Sequence, residues 1–494
     1  MSEPIVRVDS ALCRLNAGHT LRIDEFTVSC GEHWCVFGGN GAGKSVLASL
    51  LLGDLKLGHR HVHHAAGLDL RRDVAVVSFE EQQRLWQHDS RVDMSEYHED
   101  AADPGTTVLD LVSAVRPEPD DTLDTLIDTL GLTQLTDKGI RFLSSGQVRR
   151  ALIARAIWQN PRLLILDDPL ESIDRDSRDA IAAVIQQRMR DDNATLLLTR
   201  CRRNILPGIT HMALMQDLQI SEQGTLKNVM DSHAFRTYVS RRPSVSDTLP
   251  GSDGRRAPKC ADPGTAMIAL ENVSASYHGR PVFTGLNWSM WPGQHTLVEG
   301  PNGCGKSTLL GLIDGDNHKA YGQRVMLFGR QRGSGETVWD VKAYFGVVSN
   351  ELHNRYVKGW RVRDVVVSGF FDSVGLYDDS GASELNCALA WLEAVGLRSE
   401  ESAYYHELSF GQQRLVLLAR AMVKQPVVLV LDEPCVGLDD HYRELILALV
   451  DRIATGGQTH ILYVSHTEGE SPSCINQYLR FSGTAETGYV IEVS

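Results

Sequence analysis

The sequence lacks an uninterrupted apolar stretch of the ~20 residues a membrane helix needs, so a pore for any transport it energises has to come from another chain. The N-terminal residues, MSEPIVRVDSALCRL, lack the succession of charged, apolar and small residues that marks a secretory leader. The expected location is therefore cytoplasmic, with peripheral attachment to the inner face of the cell membrane open. Paired cysteines are also missing. The nine cysteines (Cys13, Cys30, Cys35, Cys201, Cys260, Cys304, Cys387, Cys435 and Cys474) include no CxxC and no Cys/His cluster at zinc spacing, which suits reduced thiols. Positive charge is scarce: 49 Lys and Arg stand against 63 Asp and Glu, a net −14, and this disfavours a nucleic-acid surface. What remains is 494 residues with 42% hydrophobic content, enough to bury the cores of two α/β domains of about 200 residues each with a connector.

A repeat settles the organisation. GGNGAGKS (Gly38 to Ser45) returns as GPNGCGKS (Gly300 to Ser307), LSSGQ (Leu143 to Gln147) as LSFGQ (Leu408 to Gln412), and LLILDDP (Leu163 to Pro169) as VLVLDEP (Val428 to Pro434). The separations are 262 residues from Lys44 to Lys306, 265 from Ser144 to Ser409 and 265 from Asp167 to Asp432. Near-constant offsets across three motifs mean duplicated domains. Their expected bounds are 1–234 and 266–494, with a Pro-, Ser-, Gly- and Asp-rich stretch, 235–265, as a flexible linker.

Each glycine-rich loop follows an apolar strand and precedes a helical segment, the order that phosphate binding requires. Its glycines (Gly38, Gly41 and Gly43; Gly300, Gly303 and Gly305) let backbone N–H groups approach phosphates, with Asn40, Asn302 and Thr308 in the same loops. Lys44 and Lys306 are placed for the β- and γ-phosphates of ATP, and Ser45 and Ser307 for Mg²⁺. The apolar runs ending in Asp167 and Asp432 read as buried parallel strands that carry a carboxylate to the ligand edge of a sheet, within reach of the metal through water. An acidic turn without metal chemistry is the alternative for either one.

LSSGQ and LSFGQQR, each 23 residues before its strand-terminal Asp, resemble the signature of ABC-family ATPases over nearly the whole chain. The resemblance implies two tandem α/β P-loop ATPase domains, each with a RecA-like mixed sheet core, an antiparallel edge sheet and a helical subdomain. In that family two domains pair head to tail and each ATP lies between the phosphate loop of one and the signature of the other. Carried over, Ser409, Gly411 and Gln412 close on the ATP at Lys44, and Ser144, Gly146 and Gln147 on the ATP at Lys306. Asp174 and Asp439 match the family's D-loop, although an aspartate at either position also suits a helix N-cap.

The same resemblance makes the two sites unequal. Glu433, after Asp432, matches the family's general base, and His466 in YVSH matches the histidine that contacts the γ-phosphate. Together with Lys306 and Asp432 they form the expected catalytic set. The first half carries Asp168 in place of the glutamate, shorter by one methylene, and Arg200 in place of the histidine. A catalytic group displaced by about 1 Å can lose roughly 100-fold in rate, unless the backbone compensates. Arginine is permanently charged and favours holding a phosphate over turning it over. Tyr277 stands where the family stacks an aromatic on adenine, or is a packing aromatic; the same count in the first half reaches Leu15 beside Arg14.

Transport ATPases of this class carry a glutamine after the strand leading to the helical subdomain. Here FGVV is followed by Ser349 and Asn350, and VAVV by SFEEQQ with Gln82 and Gln83 displaced. LFGRQRGSGETVWDVK (Leu327 to Lys342), FFDSVGLYD and the second signature resemble the duplicated ATP-binding proteins associated with bacterial molybdate-transport genes. The readings that follow are a motor for a separate integral-membrane permease, a soluble ribosome-associated ATPase, and an ATP-dependent regulatory switch. The short Pro/Gly linker lacks the basic helical hairpin typical of the second.

Overall fold

The computed structural model describes residues 3–16, 19–53, 55, 62–91, 105–116, 120–171, 173, 175–189, 193–240, 248–251, 264–277, 280–314, 320–356, 359–376, 380–467, 469–484 and 488–494. The chain divides into two units, Met1–Arg241 and Arg242–Ser494.

The first unit is built on strands β1 (Pro4–Asn16), β2 (His19–Ser29), β3 (His33–Phe37), β4 (Val62–His64), β5 (Val74–Val77), β6 (Leu163–Asp167), β7 (Ala194–Thr199), β8 (His211–Gln216) and β9 (Gln219–Thr225), in the sheet order β4-β1-β2-β9-β8-β3-β7-β6-β5. The central β8-β3-β7-β6-β5 run is parallel, and β1 pairs antiparallel with β2 and β4. Central strands read as continuous apolar runs because both faces of a parallel sheet are covered. Leu164, Leu166 and Leu197 pack into one core, while Leu163, Ile165, Leu196 and Leu198 pack into another.

The second unit repeats this plan with β10 (Ile268–Tyr277), β11 (Arg280–Met290), β12 (Thr296–Glu299), β13 (Arg324–Leu327), β14 (Arg330–Gln331), β15 (Phe345–Val348), β16 (Val428–Asp432), β17 (His460–Ser465), β18 (Gln477–Thr484) and β19 (Gly488–Val493). Their order is β14-β13-β10-β11-β19-β18-β12-β17-β16-β15. Leu429, Leu431, Ile461 and Tyr463 face one core, and Val428, Val430, Leu462 and Val464 the other. Each unit is therefore an α/β domain with a mixed sheet, an antiparallel edge and a set of helices, as expected.

The helical parts begin at side-chain caps. Thr107 and Asp110 form a capping box on Val108–Ser113, as do Ser144 and Gln147 on Ser145–Trp158 and Ser409 and Gln412 on Phe410–Met422. Such reciprocal pairs satisfy two of the orphan N–H groups at a helix start. Among the described residues no helix is long and apolar enough to cross a membrane.

Described residues occur at both ends of the expected linker, 235–265. The helix His233–Ser240 runs past 234, and Phe235, only 3% exposed, packs 5.6 Å from Phe37 between ring centroids. Residues 248–251 lie against the second unit, where Gln425 Nε2 donates to the Pro250 carbonyl at 3.4 Å and Leu249 joins the apolar cluster. Composition marked this stretch as linker because its apolar residues are too sparse to show a period. The rest of it, 241–247 and 252–263, lies outside the described residues.

Candidate functional site: the two phosphate loops and their strand ends

In each unit the glycine-rich loop joins a central strand to a helix, Lys44–Leu51 after β3 and Lys306–Asp314 after β12. Gly43 and Gly305 hold φ of 100° and 106°, where a side chain would be strained. A Cβ on Gly38 would meet the Met215 carbonyl oxygen at 2.4 Å, and one on Gly300 would meet Phe481 Cβ at 2.7 Å. Only glycine fits at the mouth of either loop. Lys44 Nζ donates to the carbonyls of Gly38 and Gly39 at 2.7 and 2.9 Å, and Lys306 Nζ to those of Gly300 and Pro301 at 2.8 and 3.0 Å. Both lysines are buried, each ammonium group folded back onto its own loop.

The strand-terminal carboxylates come next to these loops. Ser45 Oγ donates to Asp167 Oδ2 at 2.7 Å. Burial pushes the Asp167 carboxyl above its usual range, against the bond from Ser45. In the second unit Asn302, Gly303, Gly305, Lys306, Ser307, Thr308, Asp432 and Glu433 line one cavity of about 690 Å³. Burial, then the neighbouring Glu433 charge, pushes Asp432 up to about 6. Among the described residues no cluster of three His, Cys, Asp or Glu forms a metal site. One hydroxyl and one carboxylate fit Mg²⁺, which takes few protein oxygens and completes its shell with water and phosphate.

One residue further on, the halves diverge. Asp168 and Glu433 both hold a left-handed backbone, with φ of 43° and 50°. Their amides donate to Leu198 O and Val464 O at 3.0 and 3.1 Å. Such strain at a non-glycine residue clusters at functional sites. In these two respects the backbone is alike at both positions. Glu433 Oε1 lies 2.8 Å from His466 Nδ1. Burial tends to raise Glu433, but the hydrogen bond and charge of His466, with Lys306, leave its carboxyl below the usual range. Asp168 instead accepts from Thr199 Oγ1 at 3.1 Å and faces Arg200 Nε at 3.5 Å. Arg200 also donates to Asn40 Oδ1 of the phosphate loop at 3.3 Å and forms a close ion pair with Glu171. Burial opposes the Arg200 charge, yet Glu171 and Asp168 keep its pKa above the ordinary value. Glu171 had escaped the sequence reading. The signal was present, since the strand-end offset sets it against Val436, an acid against an aliphatic residue.

The signature serines and glutamines are brought together as caps. Ser144 and Ser409 Oγ each accept from the glutamine amide at 3.3 Å, and the serine N–H groups donate to Gln147 and Gln412 Oε1 at 2.9 Å. Gly146 lies in the first turn of its helix. A Cβ on Gly411 would meet the Tyr442 ring at 2.3 Å, and the Tyr442 hydroxyl bonds Ser409. Asp439 caps Asp440–Thr455, accepting from the Tyr442 amide at 2.9 Å. Asp174 lies outside the described residues. Tyr277 is 41% exposed at the end of β10, and Leu15 lies on the corresponding strand β1, 38% exposed.

Where the glutamine was missing, a serine caps a helix. Ser349 Oγ accepts from Leu352 N at 3.1 Å and Ser78 Oγ from Glu81 N at 3.2 Å. Asn350 Oδ1 is bound by Arg414 in a close contact. Gln82 is buried and Gln83 exposed on the helix Phe79–Arg91.

A family model described as ABC transporter matches residues 21–171 and 283–436. The ABC transporter ATP-binding protein ModF of Escherichia coli K12 is 35% identical over 477 residues, covering 95% of both chains. An uncharacterised ABC transporter ATP-binding protein of Schizosaccharomyces pombe is 27% identical, covering 70% of this chain and 69% of its own. Among solved structures, archaeal ribosome recycling factor aABCE1, in complex with the ribosomal stalk protein aP1, superposes with a TM-score of 0.63 at 16% identity. It covers 97% of this chain and 89% of that one, a likeness of fold.

Proposed function

The chain belongs to the ABC transporter family, and from that premise we propose that it binds ATP at both phosphate loops and hydrolyses it chiefly at the second. The pairing of His466 at 2.8 Å with Glu433, which lines the same cavity as Lys306, Ser307 and Asp432, carries this reading. Lys306 exchanges its two loop carbonyls for phosphate oxygens. Ser307 and Asp432 would hold Mg²⁺, which on binding draws charge from the phosphates. Glu433, kept ionised, accepts a proton from the attacking water, and His466 orients the Glu433 carboxylate through Nδ1. Tyr277 supplies the platform for adenine. In the first half Asp168 is engaged by Arg200, so Lys44, Ser45 and Asp167 hold nucleotide with little turnover.

The family's pairing of one half's phosphate loop with the other half's signature belongs to the same proposal. The test is steady-state ATP turnover of Lys306→Ala and Lys44→Ala. The first removes most activity and the second much less; equal losses would sink the asymmetry.

The turnover energises or regulates a membrane transport system through a separate permease, with the chain cytoplasmic or peripheral at the membrane. Likeness to ModF along both whole chains supports that assignment. Molybdate enters only through the resemblance carried by residues 327–342, FFDSVGLYD, the second signature and SFEEQQ. A soluble partner such as the ribosome is favoured by one observation: Ser78 and Ser349 cap helices where transport ATPases carry the coupling glutamine. ATP-loaded Glu433→Gln protein separates these, since it retains either a permease or ribosomes.

A further inference from the structure

Arg200, Glu171 and Asn40 form a connected polar set that the second half does not reproduce. Strand register fixes the correspondence. Asp167 lies opposite Leu198 and Asp432 opposite Val464, so Arg200 takes the place of His466. Counting from the same aspartates, Glu171 takes the place of Val436. The exchange of histidine for a permanent cation is thus accompanied by an exchange of valine for a carboxylate. The two new charges meet: Glu171 is ion-paired with the Arg200 guanidinium, and another guanidinium nitrogen reaches Asn40 Oδ1 at 3.3 Å. The side chains are 17% and 24% exposed, shielded enough for their attraction to hold a direction.

An arginine without such an anchor spreads over many rotamers, whereas a carboxylate on one edge of its planar fork aims the rest. The ion pair engages one edge of the guanidinium, and Asn40 places another beside the phosphate loop. Guanidinium groups bind phosphates through N–H donors, and with Nε and Nη2 turned to Asp168 and Glu171 it is Nη1 that reaches the loop.

We propose that Glu171 is a positioning residue of the first nucleotide site: it holds Arg200 beside the phosphate loop, where the guanidinium meets the terminal phosphate of a bound nucleoside triphosphate and lengthens its residence. This rests on the reading of the first site as one that retains nucleotide. It accounts for the paired substitution, because without Glu171 the arginine would be left to Asp168, which its Nε already faces at 3.5 Å.

The experiment uses the full chain carrying Lys306→Ala, which disables the second phosphate loop, and follows dissociation of fluorescent ATP. Glu171→Val, the residue of the second half, and Glu171→Gln, which keeps the volume, each accelerate release about tenfold. Glu171→Asp recovers part of the residence. With Arg200→His already present, Glu171→Val changes release less than about twofold, because the carboxylate acts through the arginine. Equal acceleration in both backgrounds overturns the proposal, as does slow release that Glu171→Val leaves untouched. If the Lys306→Ala parent releases ATP as fast as Lys44→Ala does, the retention reading itself fails, and the positioning role with it.

Discussion

Asp168 and Glu433 share a left-handed φ, 43° and 50°, and the same hydrogen bond to the neighbouring strand, yet their surroundings differ. Glu433 has a histidine beside it and a cavity before it. Asp168 has an arginine held by a second acid. The buried arginine of each signature helix tells the same story. Arg149 donates to the carbonyls of Asp167 and Asp168 at 3.3 and 3.1 Å, whereas Arg414 reaches the Ser349 carbonyl at 3.3 Å and the Asn350 side chain. One signature helix is tied to its strand end, the other to the capped helix after β15. Duplication has kept the scaffold and let the side chains at its ligand edge diverge.

The sharpest way to break this comparison is Glu433→Gln against Asp168→Asn. The first lowers kcat by about 100-fold or more with nucleotide binding retained, and the second stays within about threefold. Comparable losses would make the halves equivalent. Ser144→Arg should damage turnover about as much as loss of Glu433, although the two lie in different halves. Since Ser144 also caps its helix, worth about 1 kcal/mol, Ser144→Thr serves as the control that keeps the cap and the hydroxyl. Full turnover in the arginine variant would show that the second site does not use the first half's signature.

Phe235→Ala sharpens the boundary between the halves. Removing a buried aromatic costs about 3–5 kcal/mol, so the melting of the first unit falls while the second keeps its own. An unchanged melting profile would return residue 235 to the linker. The smallest effect is expected from Asp168→Glu with the second site disabled by Glu433→Gln. Because Arg200 stays beside the lengthened carboxylate, turnover rises less than about twofold. A large rise would show that side-chain length alone silences the first site.

Much of the fold was legible because its marks are local. A strand, a glycine-rich turn and a helix follow one another within about 20 residues, and Gly43 and Gly305 are needed where the backbone takes a positive φ. The apolar runs of β6 and β16 showed buried parallel strands for the same reason. Asp439 allowed two readings, since a helix N-cap and a D-loop ask for the same residue, and the structure shows the cap. Less legible was the end of the first unit, where Phe235 is a lone apolar residue whose partner, Phe37, lies far away in sequence. Glu171 was also missed. A carboxylate acquires its meaning from the cation it faces, and Arg200 is brought to it by the pairing of β6 with β7.

By itself the sequence determined that this protein is a duplicated ATPase scaffold, because phosphate loops and strand-terminal acids work through short-range backbone geometry that spacing records. Only the tertiary structure decided that His466 lies 2.8 Å from Glu433 and that Arg200, beside Asp168, is anchored by Glu171. Charge pairing depends on distances of a few ångströms between residues some 30 positions apart, and no local pattern encodes that distance.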